Sequence, residues 1–162
     1  MKINIEEQTI NQFASNAHEE WRKGFDSVYA GTGIPAKQRI KKNSDGTEGD
    51  INVPFEELHL DWKKENLAAG KAAIEALRKF PNNIEDAADF VHQQWMKRNP
   101  KEEWNASQHI SYSELSPEEK NKDRVQVVIV HEIMSSLISK SIQNTRNNFT
   151  EKPNNSSKIN TI

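Results

Sequence analysis

His92-Gln-Gln-Trp95 is followed at a distance by Tyr112-Ser-Glu-Leu115-Ser-Pro-Glu-Glu-Lys120-Asn-Lys-Asp123-Arg124, and then by a long apolar run. Within Ile84–Met134, Ala87, Val91 and Trp95 recur every four residues, which predicts a helix presenting one face to a core. The same order of events occurs earlier in the chain. Ala14, Ala17 and His18-Glu-Glu-Trp21 precede a connector, then Phe55-Glu-Glu-Leu58, then a second helical pattern reaching Leu77.

Setting His18 on His92 places Ile10, Phe13, Ala14, Ala17 and Trp21 on Ile84, Ala87, Ala88, Val91 and Trp95. A second register places Val53, Phe55, Glu57, Leu58, Asp61 and Lys63 on Ile110, Tyr112, Glu114, Leu115, Glu118 and Lys120. The two registers are offset by 74 and 57 residues, so the first connector is 17 residues longer. An insertion confined to one loop is what an internal duplication tolerates. The expected organisation is a first repeat over 1–81 with an inserted hairpin, a second over 82–142, and an Asn-rich tail over 143–162 without order.

Local signals supply the boundaries. Ile10, Phe13, Ala17 and Trp21 make the stripe of a first helix, with Gly24 as its expected stop. Asp45-Gly46 between Gln38-Arg-Ile-Lys-Lys and Asp50-Ile-Asn-Val predicts a small hairpin. A second helix is expected over about Leu60–Lys79, with a face of small residues and Pro81 just past its end. Asn82-Asn83 caps a third helix, which Asn99-Pro100 terminates. A brief extended segment is expected over His109–Tyr112. Ser116-Pro117-Glu118-Glu119 then forms a capping box, and rows such as Val130-Met134-Ile138 assign the β-branched run after it to helix. Being apolar on much of its circumference, this fourth helix should be the most buried element. The fold class is mainly α, with four main helices and short β segments in two halves about a pseudo-twofold.

These residues resemble the RyR domain, a repeat first described in ryanodine receptors and found also in bacterial and phage proteins. His92-x-x-Trp95, then Tyr112-x-x-Leu115-x-x-x-Glu119-Lys120-x-x-Asp123-Arg124 and an apolar helix, carry the resemblance over Asp86–Leu137. It extends more loosely over Gln12–Leu77, where Leu60 replaces a helix-starting Pro and Asn66-Leu67 stands in place of Asp-Arg. The resemblance implies paired helices in tandem repeats, a non-enzymatic module, and an adenine-type nucleotide held between repeats. Prokaryotic relatives are associated with nucleotide-signalled immunity, so a nucleotide-sensing or sequestering role is the implied function.

Composition bounds the alternatives. A net charge of −2 argues against DNA or RNA as the main partner, and the chain has no cysteine for thiolate chemistry. No uninterrupted apolar run reaches the ~18 residues of a membrane span, so a cytoplasmic protein is expected. His18 and His131 lack the second His four residues on that a zincin helix needs, so no metal or other cofactor is expected. No nucleophile motif supports an enzyme. The candidate ligand residues are Trp21, Trp95, Trp104 and Tyr112, as aromatic walls for a base. Arg39, Lys41, Lys42 and Arg124 are the candidates for phosphate charge. Each has a plainer reading: core packing for the rings, solvated charge for the lysines and an internal ion pair for Arg124. The chain is read as binding a small anionic molecule of nucleotide type, and is compatible with a homo-oligomer. An adaptor that contacts another protein without a small ligand is the alternative.

Overall fold

The computed structural model describes residues 4–29 and 40–150. The elements run α1 (Ile5–Tyr29), β1 (Ile40–Lys42), β2 (Glu48–Asp50), α2 (Leu60–Lys79), α3 (Ile84–Arg98) and α4 (Pro117–Thr150). Short 3-10 turns occupy Phe55–Glu57, Glu103–Gln108 and Tyr112–Glu114. The protein is therefore mainly α, with one small antiparallel hairpin.

α1 packs on α2 and α3 on α4 within the two halves, while α2–α3 and α1–α4 join them and α2–α4 runs through the middle. A shared core results. Ile10 and Phe13 from α1, Ala73, Ile74 and Ala76 from α2, Ala87 and Val91 from α3, and Val127, Val130 and Ile133 from α4 form one cluster. The small residues of α2 allow this. A Cβ on Gly70 would stand 2.8 Å from the Phe13 ring and 3.5 Å from the Ile10 carbonyl, so α1 lies nearly on the α2 backbone. A second, smaller cluster of Ala88, Tyr112 and Leu115 lies within the second half.

The ends of α2 and α3 fall where the sequence places them. Asn83 accepts from the backbone of Glu85 and Asp86 at 3.1 Å, satisfying two free N–H groups of α3. Ser116 Oγ accepts from Glu119 N at 3.2 Å at the start of α4. The hairpin pairs Ile40 with Asp50 and Lys42 with Glu48, and Gly46 takes the positive φ of 85° that its turn demands.

Four expectations need correction. α1 does not stop at Gly24 but continues to Tyr29, since a helical glycine costs only ~1 kcal/mol when neighbours hold the helix. No strand forms over His109–Tyr112: His109 and Ile110 make a bend between the 3-10 turns Glu103–Gln108 and Tyr112–Glu114, and Ser111 has an extended backbone. The tail expected to be unstructured from Gln143 is helical through Thr150; the remainder, 151–162, lies outside the described residues. α4 is not the most buried helix, for Val125, Val128, Ile138 and Ile142 are all at least 42 % exposed. By length and composition alone, α4 over Pro117–Asn148 could cross a membrane, although it contains no uninterrupted apolar run of ~18 residues. Its residues Val127, Val130 and Ile133 are instead committed to the core shared with the other three helices.

Candidate functional site

The motif residues build the same clasp twice. In the second half, His92 Nε2 donates to the Ile110 carbonyl at 2.9 Å, tying α3 to the loop that precedes α4. In the first, His18 Nε2 donates to the Val53 carbonyl at 2.8 Å. A carbonyl can only accept, so Nε2 carries the proton in both rings. Each His then stacks on the Trp one turn further along: His92 on Trp95 at 6.0 Å and 16°, and His18 on Trp21 at 5.7 Å and 19°. Tyr112 tilts against His92 at 6.3 Å, and Phe55 against His18 at 6.1 Å.

The correspondence extends through the turn. Lys120 Nζ donates to the Ser113 carbonyl at 2.9 Å, as Lys63 Nζ does to that of Glu56 at 2.7 Å. Leu115 and Leu58, one residue past each 3-10 turn, are 5 % and 3 % exposed. The hydrogen-bond pattern of one half is thus written over the other, in the two registers that the sequence predicts.

The halves differ where charge is buried. In the second, Asp123 Oδ2 lies 3.4 Å from His92 Nδ1, with the two side chains only 10 % and 4 % exposed. Burial raises the Asp123 carboxyl to about 7, helped by repulsion from Glu119 and Asp89 and opposed by Lys122. The corresponding residue in the first half is neutral Asn66, whose amide donates to the Trp62 carbonyl at 2.9 Å. Outside the clasp, Arg124 donates through Nε and Nη2 to both oxygens of Glu85, and the Tyr112 hydroxyl donates to the same carboxylate at 3.0 Å. Arg124 holds the Glu85 carboxyl below its usual range. Burial and this bond push the Tyr112 phenol up to about 12.

The predicted site residues therefore divide between the two halves. Trp95 and Tyr112 flank His92, and Arg124 joins them through Glu85; Trp21 flanks His18. Arg39 and the side chain of Trp104 lie outside the described residues. Lys41 is half-buried and Lys42 exposed on β1, and the ladder sets Lys42 opposite Glu48 and Lys41 opposite Gly49. The basic strand thus meets a partly acidic one, which the run of cations in the sequence conceals.

The hairpin is docked by contacts that sequence reasoning missed. Trp62 Nε1 donates to Asn43 Oδ1 at 3.0 Å, Ser44 N donates to Asp61 Oδ2 at 2.7 Å, and His59 Nε2 lies 3.4 Å from Asp45 Oδ2. Between hairpin and α2 opens a shallow depression of about 340 Å³, lined among others by Glu48, Asp50, Glu57, His59 and Trp62. Its three carboxylates would repel a phosphate, and among the described residues no group of acids and histidines is placed to hold a metal ion. At the other end of the hairpin, Asn52 Oδ1 accepts from Arg22 Nε at 3.3 Å, bringing the hairpin base to the helix turn that carries Trp21.

Trp21 and Trp95 are equivalent in sequence but not in surroundings. His109 packs against the Trp95 ring at 5.4 Å, and Trp95 is half-buried, whereas Trp21 is 40 % exposed. The chain matches no family model, no curated protein and no solved structure.

Proposed function

We propose that the protein is a non-enzymatic binding module that holds a small anionic ligand of nucleotide type beside Trp21. The observation that carries this reading is the exposed Trp21 indole, held in a fixed plane by the His18 ring behind it. A base stacked on such a ring gains ~1–3 kcal/mol whatever its identity. The hairpin base approaches through Asn52 and Arg22, and its strand carries Lys41 and Lys42 for phosphate charge, with Arg39 next to them in sequence. The resemblance to RyR repeats supports the same class of ligand by analogy only.

The test is calorimetry of the full chain against mono-, di- and cyclic nucleotides, repeated with Trp21→Ala and Arg39→Ala. Saturable binding that both substitutions weaken supports the reading. No heat with any nucleotide at millimolar concentration would sink it. A protein adaptor would then stand in front, a reading favoured by one contact: Arg124, a candidate phosphate ligand, already spends its planar fork on Glu85.

A further inference from the structure

The second half of α4 is a helix with little to hold it. From Ser135 to Asn148 every residue is exposed except Leu137 and Ser141, which are half-buried. Ser135, Ser136, Ser139, Ser141, Asn144, Thr145, Asn147 and Asn148 are poor helix formers, and an isolated helix this short is marginal in water even with good ones. Tertiary packing would ordinarily supply the missing stability. The core contacts of α4 end at Leu137.

The exposed surface of this helix is ordered. Val128, His131, Ser135, Ile138 and Ile142 follow one another at alternating three- and four-residue steps, the spacing of a coiled-coil seam. Val128, Ile138 and Ile142 are 44 %, 42 % and 50 % exposed, and His131 and Ser135 are exposed between them. The core seam, Val127-Val130-Met134-Leu137-Ser141, uses the same spacing one residue earlier, so about 100° separates the two faces. One seam is filled by the bundle and the other is open along its whole length.

We propose that the open seam binds a second copy of this chain, α4 against α4 in antiparallel orientation about a twofold near Ser139. Charge selects this occupant. Glu132 and Arg146 lie seven residues to either side of Ser139 and flank the same side of the seam. An antiparallel pair sets Glu132 of each copy against Arg146 of the other, and Ile138 of each against Ile142 of the other. A parallel pair would instead set Glu132 against Val127 and Arg146 against Ser141 of the other copy, so the two charges would not meet. The contact is isologous and closes on itself, so it stops at a dimer. The flanking Glu132 and the polar Ser135 within the seam make it a poor match for an anionic lipid surface.

Sedimentation velocity of the full chain over a wide micromolar range tests this, with thermal melts as the folding control. A reversible dimer is expected. Ile138→Asn or Ile142→Asn should weaken it by about tenfold or more, since each removes two apolar contacts per dimer, without lowering the melt of the monomer. Glu132→Arg and Arg146→Glu should each weaken it, and the two together should restore it. A monomer at every concentration, a dimer indifferent to Ile142→Asn, or a double reversal that fails to recover would each overturn the proposal. Pelleting of a monomeric chain with anionic vesicles would overturn it too, and would assign the seam to lipid.

Discussion

His92 and Ile110 are joined by a 2.9 Å bond from imidazole to main-chain carbonyl, and the bond reaches across 18 residues of chain. It holds the loop before α4 against α3, and the stacked Trp95 ring shields it. With His92 replaced by Ala, the Ile110 carbonyl would lose its donor inside the clasp, at a cost of ~1–3 kcal/mol, and the Trp95 contact would go as well. For a chain of this size the melting temperature should fall by roughly 2–4 °C per kcal/mol. His92→Gln keeps an N–H donor and should cost less. His18→Ala should behave like His92→Ala, because the Val53 bond is its counterpart. An unchanged melt for either alanine variant would show that the bond is incidental.

Asp123 gives the fold an unusual pH dependence. Its folded carboxyl titrates at about 7, above the ~3.9 of an unfolded aspartate, because burial disfavours the charged form. The folded state therefore holds a proton that the unfolded state releases. This contribution to stability is fully present below about pH 4 and is lost as pH rises towards 7, on the order of a few kcal/mol at most. Asp123→Asn supplies a permanent neutral donor next to His92 Nδ1, and the first half already carries a neutral amide, Asn66, at the matching sequence position. Denaturant melts from pH 4 to 8 should show the variant more stable than the native chain near neutrality, with the gap closing in acid. Parallel curves would mean that Asp123 is ionised throughout.

The apolar run Val125–Val130 contains a sharp contrast between neighbours. Val130 is fully buried among four helices, whereas Val128 is 44 % exposed on the open seam. A carboxylate at 130 would be buried without a partner, costing several kcal/mol against a total stability of ~5–15. Val130→Asp should leave no cooperative transition, and Val128→Asp should fold normally. Circular dichroism melts separate the two, and matching outcomes would show the register of α4 to be wrong.

That contrast also marks how far the sequence could be read. Helical periodicity and caps place α2, α3 and the start of α4, because those signals are local and the residues involved satisfy one another within a turn. The paired His-x-x-Trp units are legible for a similar reason, since both halves use the same residues for the same bond. A run of five apolar residues in six, by contrast, does not say which side of a helix meets the core. Long-range ion pairs leave no periodic trace either. Arg98 bonds both oxygens of Glu65 at 3.2 Å, and Arg124 takes Glu85, in each case across more than 30 residues. The acidic lining beside the hairpin leaves no local trace in the sequence, because strand pairing, not sequence order, sets Glu48 against Lys42.

Trp21 and Arg124 separate the functional readings most directly. Both are candidate ligand residues by sequence, but one is an exposed ring and the other a guanidinium bound to Glu85, the carboxylate that Tyr112 also bonds. If a nucleotide stacks beside the hairpin, Trp21→Ala should reduce its affinity by about 1–3 kcal/mol, the scale of a lost base–aromatic contact. The melt of that variant should change little, since the ring lies at the surface. Arg124→Ala should do the reverse. It frees the Glu85 carboxylate and removes the cation held against it, giving a modest fall in melting temperature with nucleotide affinity intact. Tyr112 would keep its proton through the whole working range, since its phenol sits at about 12 while Glu85 remains its acceptor. Titrating both variants with the tightest nucleotide of the panel decides the matter. Loss of binding in Arg124→Ala with Trp21→Ala unaffected would move the ligand to the second half, on the Trp95–Tyr112 face, and would rule out the hairpin site.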